Sequence, residues 1–172
     1  SSNVYIACLD ITDHSSCVEG HANGSARCER DTYPFGQWAA IGIEASDSEN
    51  VTLKDLDVHG LASTGIHAGR LTDWTLDNVR IAGNGLAGWD GDLWDGNDSN
   101  SGTIFFNEVT IEWNGCGETY PGKQPHNCWS QTAGGYGDGL GTGATGGHWS
   151  FIDCIVRYNT SDGVDLLYTR NS

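Results

Sequence analysis

Carboxylates crowd two parts of this 172-residue chain at spacings that could do chemistry. Asp138, Asp162 and Asp165 fall in two short segments of one form, Asp138-Gly139-Leu140-Gly141 and Asp162-Gly163-Val164-Asp165. A protonated and an ionised carboxyl flanking a glycosidic bond are what glycoside hydrolysis needs, at about 5 Å for retention of configuration and about 6.5–9.5 Å for inversion. Asp90, Asp92, Asp95 and Asp98 crowd the second part. Several oxygen donors on a glycine-permitted turn suit Ca²⁺, although the glutamate that closes an EF-hand loop is missing. His67 and His148 lie beside these segments and could exchange protons near neutral pH. His14, His21, His59 and His126 read as ordinary turn or surface residues.

Aromatic residues accompany the acids. Trp89 and Trp94 flank the Asp90 to Asp98 run, and Tyr120, Trp129 and Tyr136 stand in a long polar insertion. Exposed rings of this kind stack on sugars. Cations are few, 8 Lys and Arg in all. A calcium-assisted lyase acting on a uronate needs a base close to the metal. Arg157, alternating with Val156 and Tyr158 and so pointing outward, is the cation available for that role or for contacting substrate.

The elements that must position these residues come from a repeat. Val51-Thr52-Leu53-Lys54-Asp55-Leu56-Asp57-Val58-His59-Gly60 recurs 23 residues on as Trp74-Thr75-Leu76-Asp77-Asn78-Val79-Arg80-Ile81-Ala82-Gly83. The apolar frame returns at Ile104, Phe106, Val109, Ile111, Trp113 and at Trp149, Phe151, Cys154, Val156, Tyr158. A period of this length marks a solenoid, and alternation at spacing two with β-branched and aromatic residues marks strands. Crossovers between parallel strands are nearly always right-handed, so the expected fold is an all-β, right-handed parallel β-helix with coils of about 23 residues. Trp74 and Trp149 belong to its core register. Asn84, Asn114 and Asn159 follow three of the frames and are expected to form an inward amide ladder.

Upstream of each frame lies a short strand opened by glycine. Aligning Gly42, Gly65, Gly96, Gly139 and Gly163 gives one column of Thr64, Asp95, Asp138 and Asp162, and a second of Glu44, His67, Asp98, Gly141 and Asp165. Neighbours in a column lie about 4.8 Å apart, close enough that like charges destabilise one another unless a proton or a cation relieves them. Such strain marks candidate functional sites.

The run Asn159-Thr160-Ser161-Asp162-Gly163-Val164-Asp165, with the repeats, resembles the pectin-degrading right-handed β-helix superfamily, in particular the Asn-Thr-Asp-Gly-x-Asp strand of polygalacturonases. The resemblance covers the chain from about residue 41 onward and implies that Asp162 is a catalytic carboxylate. Ser161 is inserted relative to that pattern, and the family's later Asp-Asp, Gly-His-Gly and Arg-Ile-Lys segments have no counterpart. Gly146-Gly147-His148 echoes only part of one.

Composition sets the remaining bounds. A net charge of −15 disfavours nucleic acid and anionic membranes as partners, while bound Ca²⁺ could still bridge acidic polysaccharide to acidic protein. No apolar run is long enough to span a bilayer. Six cysteines without a Cys-x-x-Cys spacing favour an oxidising, extracellular setting. Cys17–Cys28 and Cys116–Cys128 read as local staples, leaving Cys8 and Cys154 as free thiols or a third bridge. Residues 1–40 are expected to form an irregular cap and 41–172 the coils, with a loop inserted at about 115–135. The chain opens without methionine, which suggests a processed start. It closes on a strand, Asp165 to Arg170, whose open edge implies further coils or another subunit stacked there. A secreted polysaccharide hydrolase is the expectation that unites these features, with a calcium-dependent lyase or a non-catalytic glycan-binding protein as alternatives.

Overall fold

A computed structural model of the chain describes residues 1–15, 39–93, 99–119, 121–126, 128 and 137–167. Three long strands stack in parallel: β1 (Ser2–Thr12), β2 (Ile41–His59) and β3 (Thr64–Ala82). On β3 lie three shorter strands in succession, β4 (Ala87–Asp90), β5 (Ser101–Asn107) and β6 (Thr110–Glu112). An antiparallel hairpin, β7 (Gly117–Thr119) and β8 (Gln124–His126), interrupts the stack. Parallel pairing then resumes with β9 (Leu140–Thr142) on β4, β10 (His148–Ile152) on β5 and β11 (Ile155–Arg157) on β6, and β12 (Val164–Leu166) covers β9. The protein is thus all-β and built on one long parallel sheet of many strands. Among the described residues no helix is long and apolar enough to cross a membrane.

The stack begins earlier than residue 41. Val4, Ile6, Leu9 and Ile11 of β1 pair in register with Val51, Leu53, Leu56 and Val58, so the expected irregular cap opens with a full layer of sheet. The strand keeps the inward frame of its partner, but Tyr5 and Ala7 at outward positions blur the alternation and the partner lies off the 23-residue period, which hid it. Cys17 and Cys28 lie outside the described residues.

Strands of 19 residues stay in one ladder because single left-handed residues turn them at fixed places. One column of such corners runs Asn50, Asp73, Gly102 and Gly147, a second runs Cys8, Asp55, Asn78, Glu108 and Asp153, and a third runs Gly60, Gly83, Trp113 and Tyr158. Asn, Asp and Gly are the residues that enter this conformation most readily, which explains their recurrence at these positions. The Trp113 and Tyr158 rings, at the same corner of successive layers, stack with centroids 4.6 Å apart.

Between corners, alternate residues face inward. Leu53, Leu76 and Phe106 share one interior column and are fully buried, with Ile6 before them and Phe151 after. Phe151 is 38% exposed because, among the described residues, β10 pairs on one edge only, with β5. The amide ladder is present: Asn84 Nδ2 donates to Asn114 Oδ1, and Asn114 Nδ2 to Asn159 Oδ1, each at 2.9 Å. Outside, charges are paired layer to layer across the repeat, as in Lys54 with Asp77, Arg70 with Asp47 at 2.8 Å and Arg80 with Asp57 at 3.0 Å. Cys154 packs partly buried against the core and Cys8 is exposed, both as free thiols.

Candidate active site: a column of carboxylates

The column that carries the acids is set by glycine, and its third member is Gly88 rather than Gly96. Thr64 pairs with Ala87, Ile66 with Trp89 and His67 with Asp90, and Trp89 and Asp90 in turn pair with Leu140 and Gly141. The glycines are required because the amide ladder lies directly against them. A Cβ at Gly65 would meet Asn84 Nδ2 at 2.7 Å, at Gly88 it would meet Asn114 Nδ2 at 2.7 Å, and at Gly139 it would meet Asn159 Nδ2 at 2.6 Å. The two columns therefore read Ile41, Thr64, Ala87, Asp138, Asp162 and Glu44, His67, Asp90, Gly141, Asp165. Asp95 and Asp98, expected in them, lie outside the described residues and are replaced by Ala87 and Asp90. The 23-residue period from Gly42 through Gly65 points to Gly88 as the signal that locates this strand.

Two carboxylates from different columns converge because residue 141 has no side chain. Asp138 Oδ2 lies 2.8 Å from where a Cβ of Gly141 would be. The Asp138 carboxylate thus fills the missing place in the second column, between Asp90 one layer before it and Asp165 one layer after. Its Oδ1 accepts a hydrogen bond from the Asp162 backbone N–H at 3.1 Å. Asp90, Asp138 and Asp165 are all raised from the ordinary aspartate value. For Asp138, burial is the main cause and the Asp162 charge adds to it, against hydrogen bonds from Ser161 and the Asp162 N–H. Burial likewise raises Asp90, with Asp92 and Asp138 adding repulsion, while the Asp92 N–H and His67 oppose the rise. Asp165 is raised by burial and then by the Asp138 and Asp162 charges. Asp162 itself is exposed.

Other expected site residues divide sharply. His67 joins the column: its Nε2 donates to the Asp92 carbonyl at 3.0 Å, and its Nδ1 is buried without a hydrogen-bond partner, 3.9 Å from Glu44 Oε1. The Nε2 bond holds the Asp92 turn in place. Trp89 is not a sugar platform. It is fully buried, edge-on to Trp74, with its Nε1 donating to the Ala68 carbonyl, because the register of β4 turns it inward in line with Ile66 and Leu140. His148 is exposed on β10, which pairs with β5 and not with the acid-bearing strands. Arg157 is on β11 and pairs with Glu112 at 2.9 Å, separated from the acids by the Asn159 turn, so it is not the base beside them. Trp94, Tyr120, Trp129 and Tyr136 lie outside the described residues. Of the four expected calcium ligands, Asp90 and Asp92 are described, and Asp90 Oδ1 is engaged by the Asp92 N–H at 2.9 Å.

A second polar cluster has no precedent in the sequence reading. His59, expected at the surface, is fully buried between Glu118, which is 2% exposed, and Asp10. Glu118 comes from the β7–β8 hairpin, and nothing in the repeat indicates that this insertion folds back over Gly60 and Gly83. The Cys116–Cys128 disulfide closes the hairpin at its base, as the spacing predicts. Comparison of the chain with protein-family models, with curated proteins and with solved structures finds no match.

Proposed function

We propose that the protein is a secreted right-handed parallel β-helix that hydrolyses a polysaccharide, with Asp138 as general acid and Asp162 as its partner carboxylate. The observation that carries this reading is the seat of Asp138 over Gly141, among acids that burial and mutual repulsion make reluctant to ionise. A general acid must hold its proton near neutral pH, and burial beside like charges is how proteins achieve that for an aspartate. Asp162, one layer on and exposed, is the carboxylate that can reach an anomeric carbon. The two residues are in register on adjacent layers, their backbones about 4.8 Å apart, so one sugar unit can meet both side chains. Asp138 then protonates the departing oxygen while Asp162 bonds to the anomeric carbon, and water releases the sugar with Asp138 taking back a proton. Burial and the Asp162 charge keep the Asp138 proton in place.

Right-handedness follows from the strong preference of parallel crossovers, and the disulfide accords with an extracellular setting. The experiment is incubation with a panel of neutral and acidic polysaccharides. Release of reducing ends without ultraviolet absorbance supports hydrolysis, and absorbance from unsaturated products would instead make the protein a lyase. Binding without product would make it a glycan-binding β-helix.

A further inference from the structure

A separate set of residues, away from the carboxylate column, has the donor set of a transition-metal site. His59 closes β2, and its Nε2 bonds Asp10 Oδ1 at 2.7 Å while its Nδ1 faces both oxygens of Glu118, at 2.8 and 2.7 Å. His14 Nδ1 lies 3.5 Å from the same Glu118 Oε1. One ring nitrogen of each histidine and a Glu118 carboxylate oxygen are all within 4.8 Å of one another. The geometry points to a binding site for a divalent transition-metal ion of the Zn²⁺ class, held by His14 Nδ1, His59 Nδ1 and Glu118, with Asp10 orienting His59 from behind.

Four features favour this assignment. Nδ1 of His59 shares a proton with Glu118, and a metal that replaces that proton would find the ring held at Nε2 by Asp10, the carboxylate–histidine–metal arrangement that orients a ligand and raises its basicity. Two imidazoles with one carboxylate select zinc-like ions over Ca²⁺ or Mg²⁺, which take oxygen donors. Tetrahedral ligands about 2.0–2.1 Å from zinc stand about 3.3 Å apart, a separation that falls between those of Glu118 from His59 Nδ1 and from His14 Nδ1, 2.7 and 3.5 Å. Glycine at residues 60 and 83 makes room for the carboxylate: a Cβ on Gly60 would come within 2.6 Å of Glu118 Oε1, and one on Gly83 within 3.4 Å of Glu118 Cβ.

A neighbouring group, Asp10, Asp57 and His59, offers a comparable cluster of ligand atoms. It already holds cations, since Lys123 Nζ lies 2.7 Å from Asp57 and 3.6 Å from Asp10, and Arg80 is 3.0 Å from Asp57. The metal therefore belongs on the Nδ1 side of His59, where Glu118 and Asp10 together balance its charge. Entry is past His14, whose side chain is 35% exposed. A metal there joins the end of β1, the end of β2 and the inserted hairpin.

The test is titration of Zn²⁺ alone into the full chain after treatment with chelator, followed by calorimetry, with Co²⁺ as a spectroscopic probe. One equivalent should bind, raise the melting temperature by mass action and give the visible absorption of low-coordinate Co²⁺. His14→Ala, at a partly exposed position, should weaken binding at least tenfold. Asp10→Asn should weaken it about 10- to 100-fold through the lost support of His59. His126→Ala, on the exposed face of β8, should leave it unchanged. Absence of saturable binding at about 100 μM Zn²⁺, well above the Kd such donor sets give, would overturn the proposal. So would His14→Ala binding as tightly as the parent, or His126→Ala losing as much as His14→Ala.

Discussion

Asp138 reaches its place only because residue 141 is glycine, and two substitutions separate that geometry from a general need for charge. Gly141→Ala sets a methyl group 2.8 Å from Asp138 Oδ2. The carboxylate is the far end of a side chain and can swing away, so the fold should survive while turnover falls by about a hundredfold, the scale of an ångström-sized misplacement. Circular dichroism with a rate measurement checks both halves. Asp138→Asn keeps the acceptor for the Asp162 N–H and removes the ionisable group. The folded-state pKa of Asp138 is raised, so its stabilising contribution is full below the unfolded value near 3.9 and is lost as pH rises through the folded value. At neutral pH the folded chain holds on Asp138 a proton that the unfolded chain releases, which costs stability, and Asp138→Asn should be more stable than the parent by about 1 kcal/mol, as functional-site replacements often are. That advantage should close as pH falls towards 4 in thermal melts. An Asn variant less stable than the parent at pH 7 would make Asp138 a structural turn residue.

At the scale of elements, the β7–β8 hairpin is where the repeat stops explaining the structure. Its disulfide was legible from the short spacing of Cys116 and Cys128 on either side of a proline-containing polar loop. Its docking was not, because the Glu118 contact with His59 joins residues 59 positions apart and belongs to no period. The strand at Ala87–Asp90 was legible but masked: Asp95-Gly96 repeats the local motif, whereas Gly88 keeps the period and lies against the ladder amide that excludes any side chain. Trp89 was misplaced with it, since a tryptophan beside acidic residues looks solvent-facing until the register is known. Replacing both Cys116 and Cys128 with serine should lower stability by about 3 kcal/mol, the chain-entropy value for a loop this short. Because the hairpin carries Glu118 and Lys123 onto His59, Asp57 and Asp10, hydrogen exchange should also rise at residues 57–60. Unchanged exchange there would show that the hairpin stays docked without its staple.

Across the whole molecule, the stacking itself was the most legible property. Leu53, Leu76 and Phe106 hold one place in the repeat and one column in the core, and Asn84, Asn114 and Asn159 hold another, because a parallel stack converts sequence period directly into position. Ser2–Thr12 escaped it because that layer stands off the 23-residue period and carries Tyr5 and Ala7 where the next layers carry polar residues. Stability should be graded along the column. Leu76→Ala, with layers on both sides, should cost about 2–5 kcal/mol, as buried leucine truncations do. Phe151→Ala removes a larger side chain, yet with 38% of that residue exposed on a layer covered on one edge it should cost less. Denaturant melts of the two variants give the comparison, and a larger loss at Phe151 would mean that the end of the stack is more tightly held than its middle.

The central claim is that the carboxylate seated over Gly141 does chemistry on a glycan. Its most direct test is the initial rate of reducing-end release from polysaccharide by the parent and by Asp138→Asn at the same pH. The parent should cleave at least one polysaccharide with retention of anomeric configuration. The folded variant should be slower by about a hundred- to ten-thousand-fold, the range expected for loss of a general acid. An Asp138→Asn protein that cleaves as fast as the parent would contradict the account, as would a parent that cleaves none.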